Sequence, residues 1–373
     1  MKAIFAVPIT AAMIYRAWSH QSLTPAGIIA ATLTAIAHAY HPWNLPFALL
    51  IVFFLAGTRV TKVKHDVKAT LTMQSTGNAG GEGARTHVQV FANSAVASVL
   101  CLLHTYQLRR REQYSTDKCF SLPGDLLVVG IIANYAAVAA DTFSSELGIL
   151  SKSKPRLITS PTFRQVPPGT NGGVTAWGSA AGLLGSLVIV TASMALTPFC
   201  DVKASNGWSF KERQRFTFAM TLWGALGSTL DSFLGGWLQQ SVVDTRTGRI
   251  VEGEGGKTVL VSKRGPSSMH YDKKAEVKSQ LLNGQGKDSI PIQAVGDEDD
   301  MEPTAVEAKR YNAQKKDRQP SFGDNKPSRV VESGSLGILD NNEVNFLMAL
   351  TMSIGAMAIA GWVWNIPMSS ILQ

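Results

Sequence analysis

Long apolar stretches separated by polar connections dominate this chain. They read as helices because each far exceeds the roughly 4–8 residues of a strand. The runs lie at 3–18, 24–39, 43–56, 86–103, 122–140, 174–196, 216–238 and 344–364. A helical span needs about 20 apolar residues, so most are long enough, or nearly so, to cross a membrane. The second and third are short and meet at His41-Pro42-Trp43-Asn44, which makes them either a hairpin or one helix broken at the proline. Lys2 and the short first run resemble a signal peptide, but no small-x-small cleavage pattern follows and Arg16 interrupts the end. It is read as a retained span. The expected fold is all-α, a polytopic integral membrane helical bundle of about 7–8 transmembrane helices.

Between 241 and 340 the pattern changes. Lys, Asp, Glu and Gly cluster there and aromatics are scarce, a composition that buries too little apolar surface to offset the entropy of ordering. The expected organisation is a membrane domain over 1–240, a disordered hydrophilic insertion over 241–340, and a last transmembrane helix of the same domain within 341–373. Averaging two kinds of sequence gives a mean hydropathy of only +0.07, which alone would suit a soluble protein.

With eight spans, the connections 57–85, 141–173 and 239–343 share one side, here termed the motif face. The connections 108–121 and 197–215 lie on the other. Lys and Arg nearly balance between the short loops of the two faces, so the positive-inside rule gives no orientation. The insertion resembles a cytosolic loop, and the chain has no N-x-S/T sequon. This assigns the motif face to the cytosol, with the endoplasmic reticulum or another endomembrane as the expected location.

The net charge of +8 is spread over the loops, as expected of flanks that meet anionic lipid. No aromatic-basic platform accompanies it, so no nucleic-acid partner is expected. Cys101, Cys119 and Cys200 are unpaired in spacing and lie in or beside spans. They suggest neither a disulfide framework nor a zinc site. Nothing in the sequence sets the oligomeric state.

Polar stripes run inside three spans. Arg85, Gln89 and Asn93 recur every four residues; Gly130, Asn134, Ala137, Asp141 and Ser145 share another face; Gly224, Ser228, Asp231 and Gly235 form a third. Intramembrane ionisable groups are costly and usually face a polar interior. Gln89, Asn93, Asn134 and Ser228 are therefore candidate polar-interior residues, with interhelical hydrogen bonding as the plain alternative for Gln89 and Asn93. Gly178, Gly182, Gly185, Gly224 and Gly235 are most simply contacts for close helix packing. Asp141 and Asp231 end their stripes on the motif side.

Three loop segments add chemistry on that side. In Pro167-Pro168-Gly169-Thr170-Asn171-Gly172-Gly173 the prolines stop a preceding helix, and the glycines let backbone approach a ligand just before a span begins. That suits an anion site as well as a tight re-entry turn. In 57–68, a helical reading puts Thr61, Lys64 and Lys68 on one phosphate-binding face with Lys62 beside them; a lipid-facing basic flank explains the lysines nearly as well. Asp340-Asn341-Asn342-Glu343 is first a helix N-cap and borders the same side.

GTRVTKVKHDVKATL, GEGARTHVQVFANS, ADTFSSELG, the run from PRLIT to GTNGGVT, GALGSTLDS and LDNNEVN together resemble the transmembrane protein 19 family, also known as domain of unknown function 92. The resemblance spans about 20–240 and 335–365, while the insertion carries none of the family's motifs. The family includes plant members similar to phytyl-phosphate kinases. The resemblance implies phosphoryl transfer from a nucleoside triphosphate, CTP or ATP, to an isoprenoid monophosphate within membrane lipid, with Mg2+ as cofactor. Mapped onto this sequence, the metal falls to Asp141 and Asp231, with Glu146 a catalytic or supporting group. Phosphate and nucleotide contacts fall to Lys62, Lys64, Lys68, Arg85, Gly169, Thr170, Asn171, Gly172 and Gly173. On a continuous helix Glu146 points well away from Asp141, so both serve one metal only if the helix breaks at the membrane surface. Two other classes stay open: a transporter or flippase, which fits the polar stripes with the acids as coupling sites, and a membrane scaffold protein whose insertion recruits partners.

Overall fold

The computed structural model describes residues 3–78, 80–81, 83–112, 119–122, 124–201, 207–259, 261, 329–334 and 336–372. The chain divides into one unit of Met1–Val259 with Val331–Gln373 and a second of Leu260–Val330. Residues 262–328, the bulk of the expected disordered insertion, lie outside the described residues. The architecture below is that of the first unit.

Its helices are α1 (Ala3–Ser19), α2 (Pro25–Ala39), α3 (Leu45–Thr61), α4 (His65–Leu71), α5 (His87–Arg111), α6 (Leu126–Gly148), α7 (Ala176–Leu196), α8 (Phe210–Leu238) and α9 (Asn341–Trp364). Among the described residues α5, α6, α7 and α9 are each long and apolar enough to cross a membrane, and the bent α3–α4 pair makes a fifth candidate. This count is lower than the seven or eight expected. α1 and α2 have 17 and 15 residues, and α8 opens on Lys211, Glu212, Arg213 and Arg215 and carries Asp231. The helix ends are set locally. Thr86 and Gln89, Ser209 and Glu212, and Asp340 and Glu343 form capping boxes on α5, α8 and α9. Arg109, Arg110 and Arg111 occupy the last turn of α5, where cations suit the dipole.

α6 is the centre of the bundle. Every residue from Leu126 to Ala140 is buried, as expected of a helix apolar all round, and α3, α5, α7, α8 and α9 surround it. Glycines set the approach of α7 and α8. A Cβ at Gly185 would lie 2.5 Å from the Ala139 carbonyl oxygen, and one at Gly227 2.6 Å from the Ala137 Cβ. Gly178 and Gly182 likewise abut α6, so the small-residue stripes are packing surfaces. The outer faces expose Ile29, Leu33, Ile36, Leu187, Phe218, Leu226 and Ile359, the pattern of a lipid-facing surface.

The motif-face connections carry small sheets that the all-α expectation does not contain. β1 (Thr72–Gln74), β4 (Ser241–Asp244), β5 (Ile250–Glu252) and β6 (Arg329–Ser333) form one sheet of order β1-β5-β4-β6, and β2 (Arg156–Leu157) pairs with β3 (Gly173–Val174). The flanks of the insertion, read from sequence as disordered, are thus strands: Val242, Ile250 and Val251 are buried.

The opposite face is closed by covalent and aromatic packing. Cys119 and Cys200 form a disulfide, which corrects the reading of the cysteines as unpaired. They are 81 residues apart and meet where residues 119–120 run beside 198–200, with Phe120 N–H donating to the Pro198 carbonyl at 2.7 Å. Phe120, Phe199, Trp208, Phe216 and Trp364 stack beneath them. On the same side Trp43 N–H donates to His41 Nδ1 at 2.9 Å, His41 Nε2 lies 2.8 Å from His104 Nδ1, and His104 Nε2 lies 3.4 Å from Asp125 Oδ2. The first contact makes His41 Nδ1 an acceptor, so Nε2 carries the proton and donates onward. Arg111 pairs with Asp125 at 2.5 Å. Burial alone would raise the Asp125 carboxyl, but the His104 hydrogen bond and the charges of His104 and Arg111 hold it below the usual carboxylate range.

Candidate functional site

A cavity of about 250 Å³ opens at the motif face. α6 brings Asp141, Ser144, Ser145 and Glu146 to it, α8 brings Ser228, Thr229, Asp231 and Ser232, and the α6–α7 connection brings Gly169 to Thr175. Thr61, His65 and Lys68 close the α3–α4 side, and Glu252 of β5 also lines the wall.

Asp141 and Asp231 line this cavity together, their carboxyls close enough to interact. Two carboxylates sharing one cavity repel when both are ionised, and a bound cation would relieve that repulsion. The amide of Asn345 on α9, with its nitrogen toward Asp231, donates to Asp231 Oδ1 at 3.0 Å and to the Asn341 carbonyl at 3.2 Å. Two carboxylates amid hydroxyls form a hard-oxygen donor set, which fits a Mg2+ bound by one or two carboxylates and the phosphates of a substrate. Among the described residues no group of three His, Cys, Asp or Glu side chains forms a protein-only metal cage.

Glu146 is not a third ligand of that pair. α6 continues unbroken to Gly148, and Glu146 instead forms an ion pair with Lys68. The Lys68 ammonium also donates to the carbonyls of Thr61 and Val60, the latter at 3.3 Å. Both side chains are largely buried, with 7% and 12% exposure. Lys68 therefore lines the cavity and caps the C-terminus of α3 at once.

The 57–68 segment is not one helix. α3 ends at Thr61, Lys64 adopts a left-handed conformation (φ 46°), and α4 leaves at 68° to α3. Thr61 and Lys68 face the cavity, while Lys62 and Lys64 are exposed in the turn; Lys62 borders a neighbouring cavity instead. Arg85 stands between the two cavities, its Nη2 donating to Thr61 Oγ1 at 3.1 Å. Gln89 is chiefly a cap, its Oε1 accepting from Thr86 N–H at 2.8 Å. Asn134 Nδ2 donates to the Asn93 carbonyl at 3.0 Å, and its own Oδ1 is buried without a partner. Ser228 lines the main cavity.

The glycine-rich loop lines the cavity, but its backbone is already committed in part. Asn171 N–H donates to Ser241 Oγ at 2.9 Å and Gly173 N–H to the Thr170 carbonyl at 2.9 Å. Gly178 N–H is capped by Thr175 Oγ1 at 2.9 Å. Gly172 has φ +81°, and a Cβ there would meet Gly236 Cα of α8 at 2.6 Å. Its glycine is therefore required by contact with α8, independently of any ligand. Sequence reasoning missed Asn345, Ser144 and Ser179. Ser144 follows Asp141 by three residues and shares its helix face, a signal that was present. The Lys68–Glu146 pair had none.

The profile of the integral membrane protein DUF92 family matches residues 8–353. Protein PGR of Arabidopsis thaliana is 36% identical over 268 residues, covering 69% of this chain and 86% of that protein. An uncharacterized membrane protein of Methanocaldococcus jannaschii, MJ0933, is 32% identical over 163 residues, covering 44% and 58%. Protein VTE6, chloroplastic, of Arabidopsis thaliana is 32% identical over 171 residues, covering 45% and 46%. No solved structure matches the chain. The chain belongs to the DUF92 family of integral membrane proteins.

Proposed function

From this family membership and the cavity at the motif face, we propose that the protein is a Mg2+-dependent isoprenoid-monophosphate kinase that uses a nucleoside triphosphate, with CTP the first candidate and ATP the second. The observation that carries the reading is the placing of Asp141 and Asp231, from two helices, in one cavity beside Gly-rich backbone, with Arg85 bonded to Thr61 at its edge. The resemblance of the motifs to plant phytyl-phosphate kinase-like members supports the same chemistry.

In the reaction an oxygen of the acceptor monophosphate attacks the terminal phosphorus of the nucleotide. The bond to the β-phosphate oxygen breaks, and nucleoside diphosphate leaves. No general base is needed, because the acceptor phosphate is already an anion. Asp141 and Asp231 would hold Mg2+, which when bound neutralises charge on the transferring group. Asn345 orients Asp231. Arg85 supplies a planar, permanently charged fork for an acceptor phosphate, and Lys68 fixes the end of α3 that carries Thr61.

Purified protein supplied with terminally labelled CTP or ATP, Mg2+ and a panel of prenyl monophosphates should place label in the prenyl diphosphate. Absence of transfer with every pair would sink the reading. The packed aromatic cluster at the far end of α6 disfavours the transporter alternative, which needs a route to that side.

A further inference from the structure

Next to the carboxylate cavity lies a second one of about 320 Å³, within the roughly 300–1,000 Å³ range of small-molecule sites. It shares Thr61 and His65 with the first. Its motif-face end carries Lys62 and Arg85, and its body is built from Leu23, Ala31, Leu50, Phe53, Phe54 and Val90. From Thr61 to Leu50 it follows about three turns of α3, about 16 Å into the bundle. Asn93, Thr34 and Ser94 at its depth make hydrogen bonds within the protein, Asn93 Nδ2 donating to the Gln89 carbonyl at 3.2 Å. Thr34 Oγ1 donates to the Ala30 carbonyl at 3.0 Å, Ser94 Oγ to the Val90 carbonyl at 2.7 Å, and the two hydroxyls lie 3.3 Å apart. No carboxylate is among its lining residues.

The cavity does not end there. Leu23, Ala31, Leu50 and Phe54 also line an apolar groove between α1, α2 and α3, continued by Met13 and Ile51. The outer faces of α1 and α2 expose Ile4, Phe5, Val7, Ile29, Leu33 and Ile36, so this groove lies on the lipid side of the bundle. A cationic head, an apolar body and a lipid-side continuation match an amphiphile with an anionic headgroup.

We propose that the isoprenoid chain of a lipid monophosphate occupies this α1–α2–α3–α5 channel, its phosphate held by Arg85 at the edge of the carboxylate cavity; that this phosphate is the acceptor rests on the kinase reading. Arg85 is placed for the task. A Cβ at Gly57 would lie 3.7 Å from Arg85 Nη1 and 3.8 Å from Thr142 Cγ2, so the guanidinium lies across one glycine from the residue that follows Asp141. The channel keeps the chain in apolar surroundings, as the bilayer does.

The test is photoaffinity labelling of the full-length protein in lipid nanodiscs with geranylgeranyl monophosphate bearing a diazirine at the chain end. It is run without nucleotide. Labels are expected on the α1–α3 lining around Ala31, Leu50 and Phe54. They should be competed by untagged geranylgeranyl monophosphate and about tenfold or more less well by geranylgeraniol, since the alcohol lacks the charge that Arg85 reads. Ala31→Phe, at a residue shared by cavity and groove, should lower labelling by a similar factor; Ala31→Leu gives a milder block if the larger ring disturbs folding. Arg85→Gln should erase the preference for phosphate over alcohol. Labels mapping elsewhere, equal competition by the alcohol, or folded Ala31 variants that label like wild type would overturn the channel. Channel labelling in a protein that transfers no phosphate upholds the channel and removes the kinase reading. Transfer to this lipid with labels elsewhere does the reverse.

Discussion

Asp231 of α8 and Asp141 of α6 meet across the interface between two helices, both lining one cavity. Each lies at the motif-side end of a small-residue stripe, and those stripes let α8 approach the central helix closely enough for the two acids to meet. The glycines read from sequence as helix-packing contacts thus also bring the carboxylates together.

If this pair holds Mg2+, Asp141→Asn and Asp231→Asn should each abolish prenyl-phosphate kinase activity without loss of expression. Each change also removes one of two neighbouring like charges, so the metal-free variants should melt no lower than wild type. Wild type should gain stability on addition of Mg2+, about 1.4 kcal/mol at tenfold excess over Kd, and the variants should gain almost none. Thermal melts with and without Mg2+ check this. Variants that keep both the activity and the Mg2+ response would place the metal elsewhere.

Lys68→Met leaves Glu146 charged in a largely buried position. The expected cost is about 3–5 kcal/mol, the range for breaking one side of a buried ion pair. Adding Glu146→Gln to the same chain should recover most of it. Unfolding of the single and double variants in detergent measures the coupling, and additive losses would show that the pair is not coupled.

Gly172 and Gly235 both border the cavity, yet they should respond oppositely to alanine. At Gly172 the left-handed backbone and the 2.6 Å approach to Gly236 Cα predict a loss of about 1–3 kcal/mol. At Gly235 the nearest atoms to a Cβ lie 3.5 and 3.6 Å away, an ordinary contact within a helix, so Gly235→Ala should be neutral or stabilise by up to about 1 kcal/mol. Equal melting temperatures for the two variants would contradict the loop geometry.

Asp125 sets an acid limit. Its carboxyl is held below the usual range by His104 and Arg111, so its stabilisation is fully present above the unfolded-state value of about 3.9 and is lost as pH falls through the lower folded-state value. Asp125→Asn should therefore be less stable than wild type at neutral pH, with the gap closing below about pH 4. A gap that stays constant with pH would exclude this linkage.

Much of the bundle was legible because apolar runs longer than a strand leave little choice of structure. The ends were less so. The apolar run at 86–103 understates α5, since Arg109–Arg111 continue the helix past the hydrophobic stretch, and the run at 122–140 stops where α6 goes on to Gly148. Asp141, Asp231, Lys68 and the Gly169–Gly173 loop do meet at one cavity, as convergence of the polar ends implies. Lys64 does not line it, because the turn after Thr61 removes the helical face on which its assignment depended. Glu146 and Lys68, like Cys119 and Cys200, pair across long sequence separations. Periodicity reports the face of an element and says nothing about which distant element covers it.

The bond between Cys119 and Cys200 also gives the molecule a chemical polarity. Disulfides persist where thiol reductants are scarce and are rare in reducing compartments. By that chemistry the face that carries this bond is expected on the oxidising side of whichever membrane holds the protein. The Asp141–Asp231 cavity, at the other end of the helices, then opens toward the reducing side. Two residues with no part in the proposed chemistry would thus act as a compass for the chain, pointing to the side from which a nucleotide would arrive on the kinase reading.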